Sequence, residues 1–551
     1  MNPLKNNSND EGTFPPTPNR PRLEGVPAGV SAGRDVTVYY QNKSSFFRLP
    51  DESKSMIMRY LGFREVTRLA KTCKYLHDLV KEDKALERAW YRRFPSEYQN
   101  PLKTLVRTKD EQQLRDWLIP FANKDTIDSL LTQKESTFFP AQLFFTNSKL
   151  MSQCETFKPV KKIEIPHNDT IKTATFSADS CHVATASFDK TAKISGQKTD
   201  GSWEVKTTIP HKYLVFEAPF SPDCHQVVTS SWDWQAKICV QEDDGSWKIK
   251  ATIPHESAIS SANFSLDGRY LLTTSMNSTV KIWTRETKGS WEAKYTIRHI
   301  SPILSASFSA DSSHLLVSSG DNTVTIYGQE DDGSWEVKGT ISHENFTLAT
   351  FSADGSYVVT ASKDGKAKIY GLQANGSWDK MAIIPHDNEV KSATFSPDGS
   401  HVVTISGKTV KIHGLQTDGS WKEKYTFKYN SWVSSASFSP DSNHMVTTSE
   451  DKTAKIHALQ ADGSWDITAT IYHEKEVNFA TFSPDSCLVV TASDDKTAKI
   501  YGLEPTGSWG EKAIISHRSA VYLVIFSPDG RSVLTISNDH TATITELQKN
   551  D

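Results

Sequence analysis

The chain has 551 residues, too many for one simple hydrophobic core, so several domains or a repeat array are expected. Its 62 basic and 66 acidic residues balance each other, which argues against nucleic acid as a partner. The six cysteines show no CxxC spacing, and no apolar run reaches the roughly 18 residues of a membrane helix. The composition predicts a cytoplasmic protein with free thiols and no membrane segment.

The N-terminal stretch, residues 1–44, is rich in proline, asparagine, glycine and serine. Such a composition buries too little apolar surface to offset the entropy lost on ordering the chain. We therefore predict a disordered, proline-rich tail.

Residues 45–95 have the pattern of a few short helices. Leu49-Pro50 leads into a first helix, since proline loses no hydrogen bond at a helix start. A second helix presents one apolar stripe, formed by Val66, Leu69, Ala70, Cys73, Leu76 and Val80. Leu86 and Trp90 follow at helical spacing. About fifty residues make a marginal core alone, so a leftover apolar face would require a partner.

This segment resembles the F-box family, from the Leu-Pro start to the closing Leu86 and Trp90. The resemblance implies docking onto the Skp adaptor of a Skp–cullin–F-box (SCF) ubiquitin ligase. The adaptor contacts that it implies are Leu49, Pro50, Ile57, Leu61, Val66 and Leu69. The alternative, that a side chain only holds the helices together, is favoured for Leu69, Cys73 and Leu76.

Residues 96–155 are predicted to form a helical linker. Leu114, Trp117 and Leu118 share one helical face before Pro120 interrupts the pattern. A second short stripe follows at Ile127, Leu130 and Leu131. In an F-box protein such a segment is expected to set the distance and orientation between adaptor and substrate.

A tandem repeat fills residues 156–551. A Phe-Ser pair recurs nine times with a step of 43 or 44 residues, at Phe176, Phe220, Phe264, Phe308, Phe351, Phe395, Phe438, Phe482 and Phe526. A Gly-Ser-Trp triplet recurs with the same step, at Trp203, Trp247, Trp291, Trp335, Trp378, Trp421, Trp465 and Trp509. A period of roughly 40–45 residues is typical of four-stranded propeller blades.

One copy, Thr481 to Ile515, illustrates the predicted blade. Short β-rich runs at 488–493 and 497–501 alternate with Pro-Asp and Asp-Asp turns, and a further strand starts at Trp509. Four short strands joined by tight turns resemble a WD repeat, and the resemblance covers residues 160–548.

The two ends of the array predict how it closes. The last copy ends its third strand near Ile544 without a Gly-Ser-Trp strand, and an unattached strand, Val160 to Ile165, precedes the first copy. Pairing these two strands would complete the last blade and leave no free edge. The predicted fold class is mainly β: one nine-bladed, WD-repeat-like β-propeller after a small all-α F-box and linker. The alternatives are eight blades with a stray unit, or a split array.

A polar trio recurs in the blades and invites comparison with a hydrolase triad. Its histidines are His167, His211, His255, His299, His343, His386, His473 and His517. Each second strand ends in serine, as at Ser187 and Ser231, and most of the turns beyond carry aspartate, as at Asp189 and Asp233. A catalytic triad is needed once, whereas a repeated trio indicates a structural hydrogen-bond network. One histidine per blade also cannot share a metal ion, so no catalytic residue, metal or cofactor is predicted.

Recognition is expected where one copy departs from the others. The turns after the repeated serines carry Phe188, Trp232, Trp234 and Met276 in blades one to three, and the histidine loop of blade two adds Tyr213. These residues predict an aromatic patch that docks a protein substrate. The alternative is that Trp232 and Trp234 only fill the central channel. Lys363 in blade five is a candidate contact for an acidic or phosphorylated ligand, but no arginine cluster supports a phosphodegron reader.

The sequence therefore predicts a non-enzymatic substrate receptor of an SCF ubiquitin ligase. Its expected partners are the Skp adaptor, the cullin ligase core and a protein target on the propeller, without nucleic acid or membrane. The main alternative is a propeller scaffold without ligase coupling, and an enzymatic propeller comes third. The copies are unusually alike, and they resemble the repeats in proteins of amoeba-associated intracellular bacteria. This resemblance implies a secreted effector that acts in a host cytoplasm.

Overall fold

Each repeat forms one antiparallel sheet of four strands, and the described part of the chain contains nine such sheets. The computed structural model describes residues 87, 90–91, 94–119, 121–122, 124–134, 143–146, 153–285, 291–345 and 347–550. These residues fall into two units: Glu87, Trp90 and Tyr91 belong to the first, and the described residues from Phe94 onward belong to the second. In the first unit the Trp90 and Tyr91 side chains are buried, with ring centroids 4.9 Å apart.

The strands follow one another in the same order in every blade. Strand β1 is Phe157–Pro166; blade one comprises β2 Ile171–Phe176, β3 His182–Ser187, β4 Thr191–Gln197 and β5 Trp203–Pro210; blade two comprises β6 Val215–Glu217, β7 Gln226–Ser231, β8 Gln235–Gln241 and β9 Trp247–Pro254; blade three comprises β10 Ile259–Phe264, β11 Tyr270–Ser275, β12 Thr279–Arg285 and β13 Trp291–Arg298. Blade four comprises β14 Ile303–Phe308, β15 His314–Ser319, β16 Thr323–Gln329 and β17 Trp335–Ser342; blade five comprises β18 Thr347–Phe351, β19 Tyr357–Ser362, β20 Lys366–Leu372 and β21 Trp378–Pro385; blade six comprises β22 Ser392–Phe395, β23 His401–Ser406, β24 Thr409–Leu415 and β25 Trp421–Lys428. Blade seven comprises β26 Val433–Phe438, β27 His444–Ser449, β28 Thr453–Leu459 and β29 Trp465–Tyr472; blade eight comprises β30 Val477–Phe482, β31 Leu488–Ser493, β32 Thr497–Leu503 and β33 Trp509–Ser516; blade nine comprises β34 Val521–Phe526, β35 Ser532–Ser537 and β36 Thr541–Lys549.

The Phe-Ser-x-Asp motif makes the turn between the first and second strands of a blade. In blade eight Ser483 Oγ donates to Asp485 Oδ1 (2.6 Å) and accepts from the Leu488 amide (2.9 Å). The Cys487 amide also donates to Asp485 Oδ1, at 3.0 Å. The serine and aspartate thus satisfy backbone groups of the turn, which explains why the motif recurs.

The Gly-Ser-Trp motif packs one blade against the previous one. Trp247 begins the outer strand of blade two, and its ring lies 5.4 Å from His182 of blade one and 6.1 Å from Phe220 of its own blade. Similar inter-blade ring contacts are made by Trp335, Trp378, Trp421, Trp465 and Trp509. Both repeated motifs are therefore structural.

The ring is closed by the strand that precedes blade one. β1 pairs antiparallel with β36, from Phe157 opposite Lys549 to Pro166 opposite Thr541. β36 extends to Lys549 rather than ending at the predicted Ile544, because the ten-residue β1 offers it a longer partner. Between blades nine and one, the Tyr522 hydroxyl donates to the Ile171 carbonyl. The predicted nine-bladed ring with a closing N-terminal strand is confirmed.

Helices precede the ring in the second unit. They are α1 Ser96–Val106, α2 Glu111–Leu118 and α3 Lys124–Leu131, followed by a 3₁₀ turn at Leu143–Thr146. Asp110 caps α2 by accepting from the Gln113 amide at 3.1 Å. Leu114, Trp117 and Leu118 are buried, so the apolar face predicted before Pro120 is confirmed.

The ring has two faces, and α2 contacts one of them. The lower face carries the turns from first to second and from third to outer strand, and the upper face carries the turns and loops that contain the repeated aspartates and histidines. The Trp117 Nε1 donates to the Pro505 carbonyl (2.8 Å), and the Ala461 amide donates to Asp116 Oδ1 (3.1 Å). Pro505 and Ala461 belong to third-to-outer turns, so α2 packs on the lower face of blades seven and eight.

Candidate functional site

The repeated histidine, serine and aspartate form a hydrogen-bond network on the upper face. In blade one His167 Nδ1 donates to Asp189 Oδ2, and Thr185 Oγ1 donates to His167 Nε2, both at 2.8 Å. The Ser187 hydroxyl donates to the Thr170 carbonyl at 3.1 Å. The His, Asp and Thr bonds recur at 2.7–3.0 Å in His211–Asp233–Thr229, His343–Asp364–Thr360 and His473–Asp495–Thr491.

Electrostatics keep this network in one protonation state. Burial lowers the pKa of His167. Burial opposes ionisation of Asp189, but hydrogen bonds from Thr191, the Asn168 amide and His167 outweigh it and lower the pKa of Asp189. A neutral imidazole bound to an ionised carboxylate pins the loop before the blade to the turn within it. This supports the structural interpretation of the trio.

Blade seven rebuilds the network with a tyrosine. Tyr429 replaces the repeated histidine, and its hydroxyl lies 2.6 Å from Thr447 Oγ1 and 3.1 Å from His457 Nε2. Blade three differs again, since Trp283 Nε1 donates to Thr273 Oγ1 at 2.8 Å. The threonine of the second strand is thus a shared partner in blades whose other members vary.

The departures in blades one and two bring three aromatic rings together on the upper face. The Phe188 and Phe216 ring centroids lie 5.4 Å apart, and those of Phe216 and Trp232 lie 5.0 Å apart with an interplanar angle of 28°. Phe216 therefore joins the turn of blade one to the turn of blade two. One tilted pair, Phe188 and Phe216, and one stacked pair, Phe216 and Trp232, thus form one apolar platform.

The platform depends on an irregular inner strand in blade two. β6 spans only Val215–Glu217, and Pro219, which lacks an amide hydrogen, follows it. The register of β6 shifts between Val215 and Glu217, so Phe216 is the bulged residue. The same bulge recurs on the inner strands of blades one, three, four, seven, eight and nine, and blade two shares with blade nine, at Tyr522, an aromatic residue there. Glu217 accepts from the Ala262 amide of blade three (3.0 Å), and burial raises the pKa of this carboxyl.

Two further aromatic side chains of blade two lie in upper-face loops and are exposed to solvent. Tyr213 and Trp234 are 60 % and 55 % exposed, and Trp232 is 38 % exposed. Lys190 of blade one lies with Nζ 5.9 Å from the centroid of the Tyr213 ring. We call Phe188, Tyr213, Phe216, Trp232 and Trp234 the aromatic patch. The exposure of both tryptophans argues against a role confined to filling the channel.

The other two predicted substrate contacts lie further round the ring. Met276 lies in the corresponding turn of blade three and is 45 % exposed. Lys363 lies in that turn of blade five, three blades away from Trp232, and is exposed. The structure therefore brings Phe188 and Trp232 together, and it does not place Lys363 beside them.

The predicted adaptor contacts lie outside the described residues. These are Leu49, Pro50, Ile57, Leu61, Val66 and Leu69. Trp90, the closing residue of the same pattern, is helical and buried.

The described residues lack two further features. No group of three or more His, Cys, Asp or Glu side chains in them could hold a metal ion. Among the helices that the structure describes, none is long and apolar enough to cross a membrane.

Sequence reasoning missed two kinds of residue. Phe216 falls where blade one has Lys172 and blade three has Ser260, so aligning the copies would have marked it as a departure. The network threonine, such as Thr185, always precedes the repeated serine by two residues in the blades that use it. It was overlooked because threonine is also an ordinary strand residue.

Comparison with known protein families gives two matches that cover separate parts of the chain. The model of the F-box-like family matches residues 46–94. The model of the WD domain, G-beta repeat, matches seven segments: 157–194, 247–284, 291–328, 336–371, 377–413, 421–457 and 465–502. The chain is an F-box-like, WD40-repeat protein.

The position of the aromatic patch relative to these matches is informative. Tyr213, Phe216, Trp232 and Trp234 all lie between the first two matched WD40 segments, within residues 195–246. Four of the five patch residues thus lie in an unmatched copy of the repeat, and Phe188 lies inside a matched segment. The last copy, after residue 502, is also unmatched.

Comparison with solved structures gives matches to Sqt1 from two organisms. Sqt1 of Saccharomyces cerevisiae shares 16 % identity with a TM-score of 0.48, over 61 % of this chain and 96 % of its own. Sqt1 of Chaetomium thermophilum shares 14 % identity with a TM-score of 0.49, over 71 % of this chain and 99 % of its own. Comparison with curated protein sequences gives no match.

Proposed function

We propose that this F-box-like, WD40-repeat protein is the substrate-recognition subunit of an SCF-type ubiquitin ligase. The F-box-like domain docks the Skp adaptor of the cullin core, and the propeller binds a target protein for ubiquitination. The chain performs no chemistry itself. Ubiquitin transfer gains from the proximity of the bound target to the ligase.

One observation carries this proposal: an F-box-like domain and a propeller with an exposed aromatic patch occur in the same chain. Contiguous exposed aromatic side chains are typical anchors of protein interfaces. α2 packs on the lower face, opposite the face that carries the patch.

The proposed contacts follow the two halves of the chain. Leu49, Pro50, Ile57, Leu61, Val66 and Leu69 contact the adaptor. The aromatic patch contacts the target, with Met276 at its edge on blade three. Lys363 would reach only a target that extends over three blades.

The test is capture of the full chain by purified Skp adaptor. We expect wild type to be captured and Leu49→Ala/Pro50→Ala to be lost, because these substitutions remove apolar contacts to the adaptor. Trp232→Ala/Trp234→Ala serves as the matched control and should be captured like wild type. If the adaptor captures none of the three proteins, the ligase proposal is wrong.

The competing function is a propeller scaffold without ligase coupling. Such a scaffold would bind its protein partner through the same aromatic patch. Capture of the cullin core through the adaptor separates the two, since a scaffold would not recruit it. Location in the cytoplasm, and in a host cytoplasm for a secreted bacterial effector, belongs to the same proposal. Co-purification of a tagged chain with cytoplasmic adaptor tests it.

A further inference from the structure

The charge of the upper-face loops varies around the ring at one fixed position. The residue after the repeated histidine is acidic at Glu256, Glu344, Asp387 and Glu474, in blades three, five, six and eight. It is basic at Lys212 and Arg518, in blades two and nine. Blades two and nine are the two neighbours of blade one, so these cations flank the blade that carries Phe188.

Two lysines of blade one add to this basic arc. Lys190 lies in the same turn as Phe188, with Nζ 5.9 Å from the Tyr213 ring centroid. Lys172 of the inner strand is exposed. It lies close enough to the Glu217 carboxyl to oppose the increase that burial causes in the pKa of Glu217. On the upper face, Asp169 and Glu256 are the exposed carboxylates of the loops of blades one to three, and Glu164 of β1 lies close enough to Arg518 for this cation to help lower its pKa. The four cations Lys172, Lys190, Lys212 and Arg518 outnumber them.

We propose that the aromatic patch binds an extended acidic segment of the target, in which a large apolar side chain is flanked by aspartate or glutamate. The inference rests on the proposed function, since it names the substrate class of the same face. The apolar side chain would lie on the platform of Phe188, Phe216 and Trp232. The flanking carboxylates would face the lysines, whose charge complements theirs.

The chemistry of the cations favours carboxylates spread along a segment. Lysine is a flexible point charge that does not require the bidentate geometry of an arginine–phosphate pair. Arg518 is the one arginine among the four cations of the arc. The remaining loops of the upper face carry acidic residues such as Glu344, Asp387 and Glu474, but also exposed lysines such as Lys408, Lys452 and Lys475. Charge alone therefore does not select blades nine, one and two, and the apolar side chain held by the aromatic rings fixes the position of the segment.

The experiment is selection of a phage-displayed library of random dodecapeptides on the immobilised full chain. We expect enrichment of peptides with a Trp, Phe or Leu flanked by Asp or Glu. A synthetic peptide of the enriched sequence should bind the full chain in fluorescence polarisation, more weakly as salt rises, since exposed charges are screened.

Variants assign the binding to the patch. Trp232→Ala/Trp234→Ala should weaken binding of the peptide by at least about tenfold, as expected for interface anchors. Lys190→Glu/Lys212→Glu should weaken peptide binding by roughly three- to tenfold, and the loss should be larger at low salt. Both positions are exposed, so the substitutions should leave the fold intact. The controls are Trp432→Ala, a 48 % exposed tryptophan on the upper face of blade seven, and Lys475→Glu on blade eight. Both controls should bind like wild type.

Several results would overturn the inference: no enriched peptide, enriched peptides without acidic residues, or equal binding by the patch variants and the controls. Adaptor capture is measured separately. Peptide selection can therefore fail while the adaptor is captured, which leaves the ligase proposal standing, and it can succeed while the adaptor is not captured.

Discussion

Phe216 and Trp232 stack nearly in parallel, with ring centroids 5.0 Å apart, although one lies on the inner strand of blade two and the other in a turn. Trp232 is thereby held in place by a half-buried neighbour, which in turn contacts Phe188. An aromatic side chain held this way loses little conformational entropy on binding, which suits an interface anchor.

The stack predicts different costs for two substitutions in the patch. Phe216→Ala should lower the free energy of unfolding by about 1–3 kcal/mol, because it removes the ring that joins Phe188 to Trp232. Trp234→Ala should change it by no more than about 0.5 kcal/mol, because this side chain is largely exposed. Urea unfolding followed by circular dichroism measures both. An equal decrease in the free energy of unfolding for both variants would show that Phe216 does not hold the patch together.

Acid should weaken the ring through its buried histidines. Burial lowers the pKa of His413 to about 4, and the same holds for His255 and His386. Each is neutral in the folded ring, whereas the unfolded chain takes up protons below a pKa of about 6.5. Their stabilising effect is thus complete above pH 6.5 and is lost as the pH falls toward 4.

His413→Tyr tests this pH dependence with a residue that sister blades already use, since Tyr327, Tyr370 and Tyr501 occupy the equivalent position. We expect the variant to lose up to about 2 kcal/mol less stability than wild type between pH 8 and pH 5. Unfolding midpoints at both pH values measure the difference. His225→Tyr, at an exposed histidine, is the control for the effect of the substitution itself. Identical pH profiles for wild type and His413→Tyr would contradict the assignment.

Closure of the ring predicts that the first strand stabilises the last blade. Ile165 of β1 is fully buried opposite Ala542, and Ile165→Asp would bury an unpaired charge in that seam. Amide exchange of β36 and of blade one should then rise together. The matched variant Ile209→Asp, opposite Ala192 within blade one, should leave β36 protected. Raised exchange of β36 in both variants would mean that the seam is not where the ring opens.

Much of the fold could be predicted from the sequence because nine copies of the repeat show the same pattern of turns and strands. Turn motifs, strand order and closure were predicted, since each depends on local spacing. The extension of β36 to Lys549 was missed because it depends on the length of β1, which pairs from the other end of the chain. Propensity within a strand carries no information about such a partner.

The site was harder to predict than the fold. Phe188, Tyr213, Trp232 and Trp234 were selected as departures from the repeat, and in the structure Phe188 and Trp232 both contact the ring of Phe216. Phe216, which joins them, was missed because it lies within a strand, where an aromatic residue is ordinary. That its side chain meets the turns depends on the bulge beside Glu217, which alternation alone cannot reveal.

The contact of Trp117 with Pro505 predicts that one side chain holds the helical segment to the ring. Trp117 is buried, and its indole donates to the Pro505 carbonyl beside a cavity of about 190 Å³ that Phe121 and Trp509 also line. Trp117→Ala would enlarge this cavity and remove the carbonyl's partner, at a cost of about 3–5 kcal/mol to the contact. Amide exchange should rise in α2 and at the Pro505 turn while the upper face stays protected.

Arg115→Ala is the matched control for this prediction. Arg115 is on the same helix but pairs with Asp128 and Glu111 inside the helical segment, so α2 should stay attached to blades seven and eight. If Trp117→Ala leaves the exchange of the Pro505 turn unchanged, the attachment rests on other contacts, such as that of Asp116 with the Ala461 amide. If it rises, peptide binding at the patch should persist, because the patch lies on the opposite face.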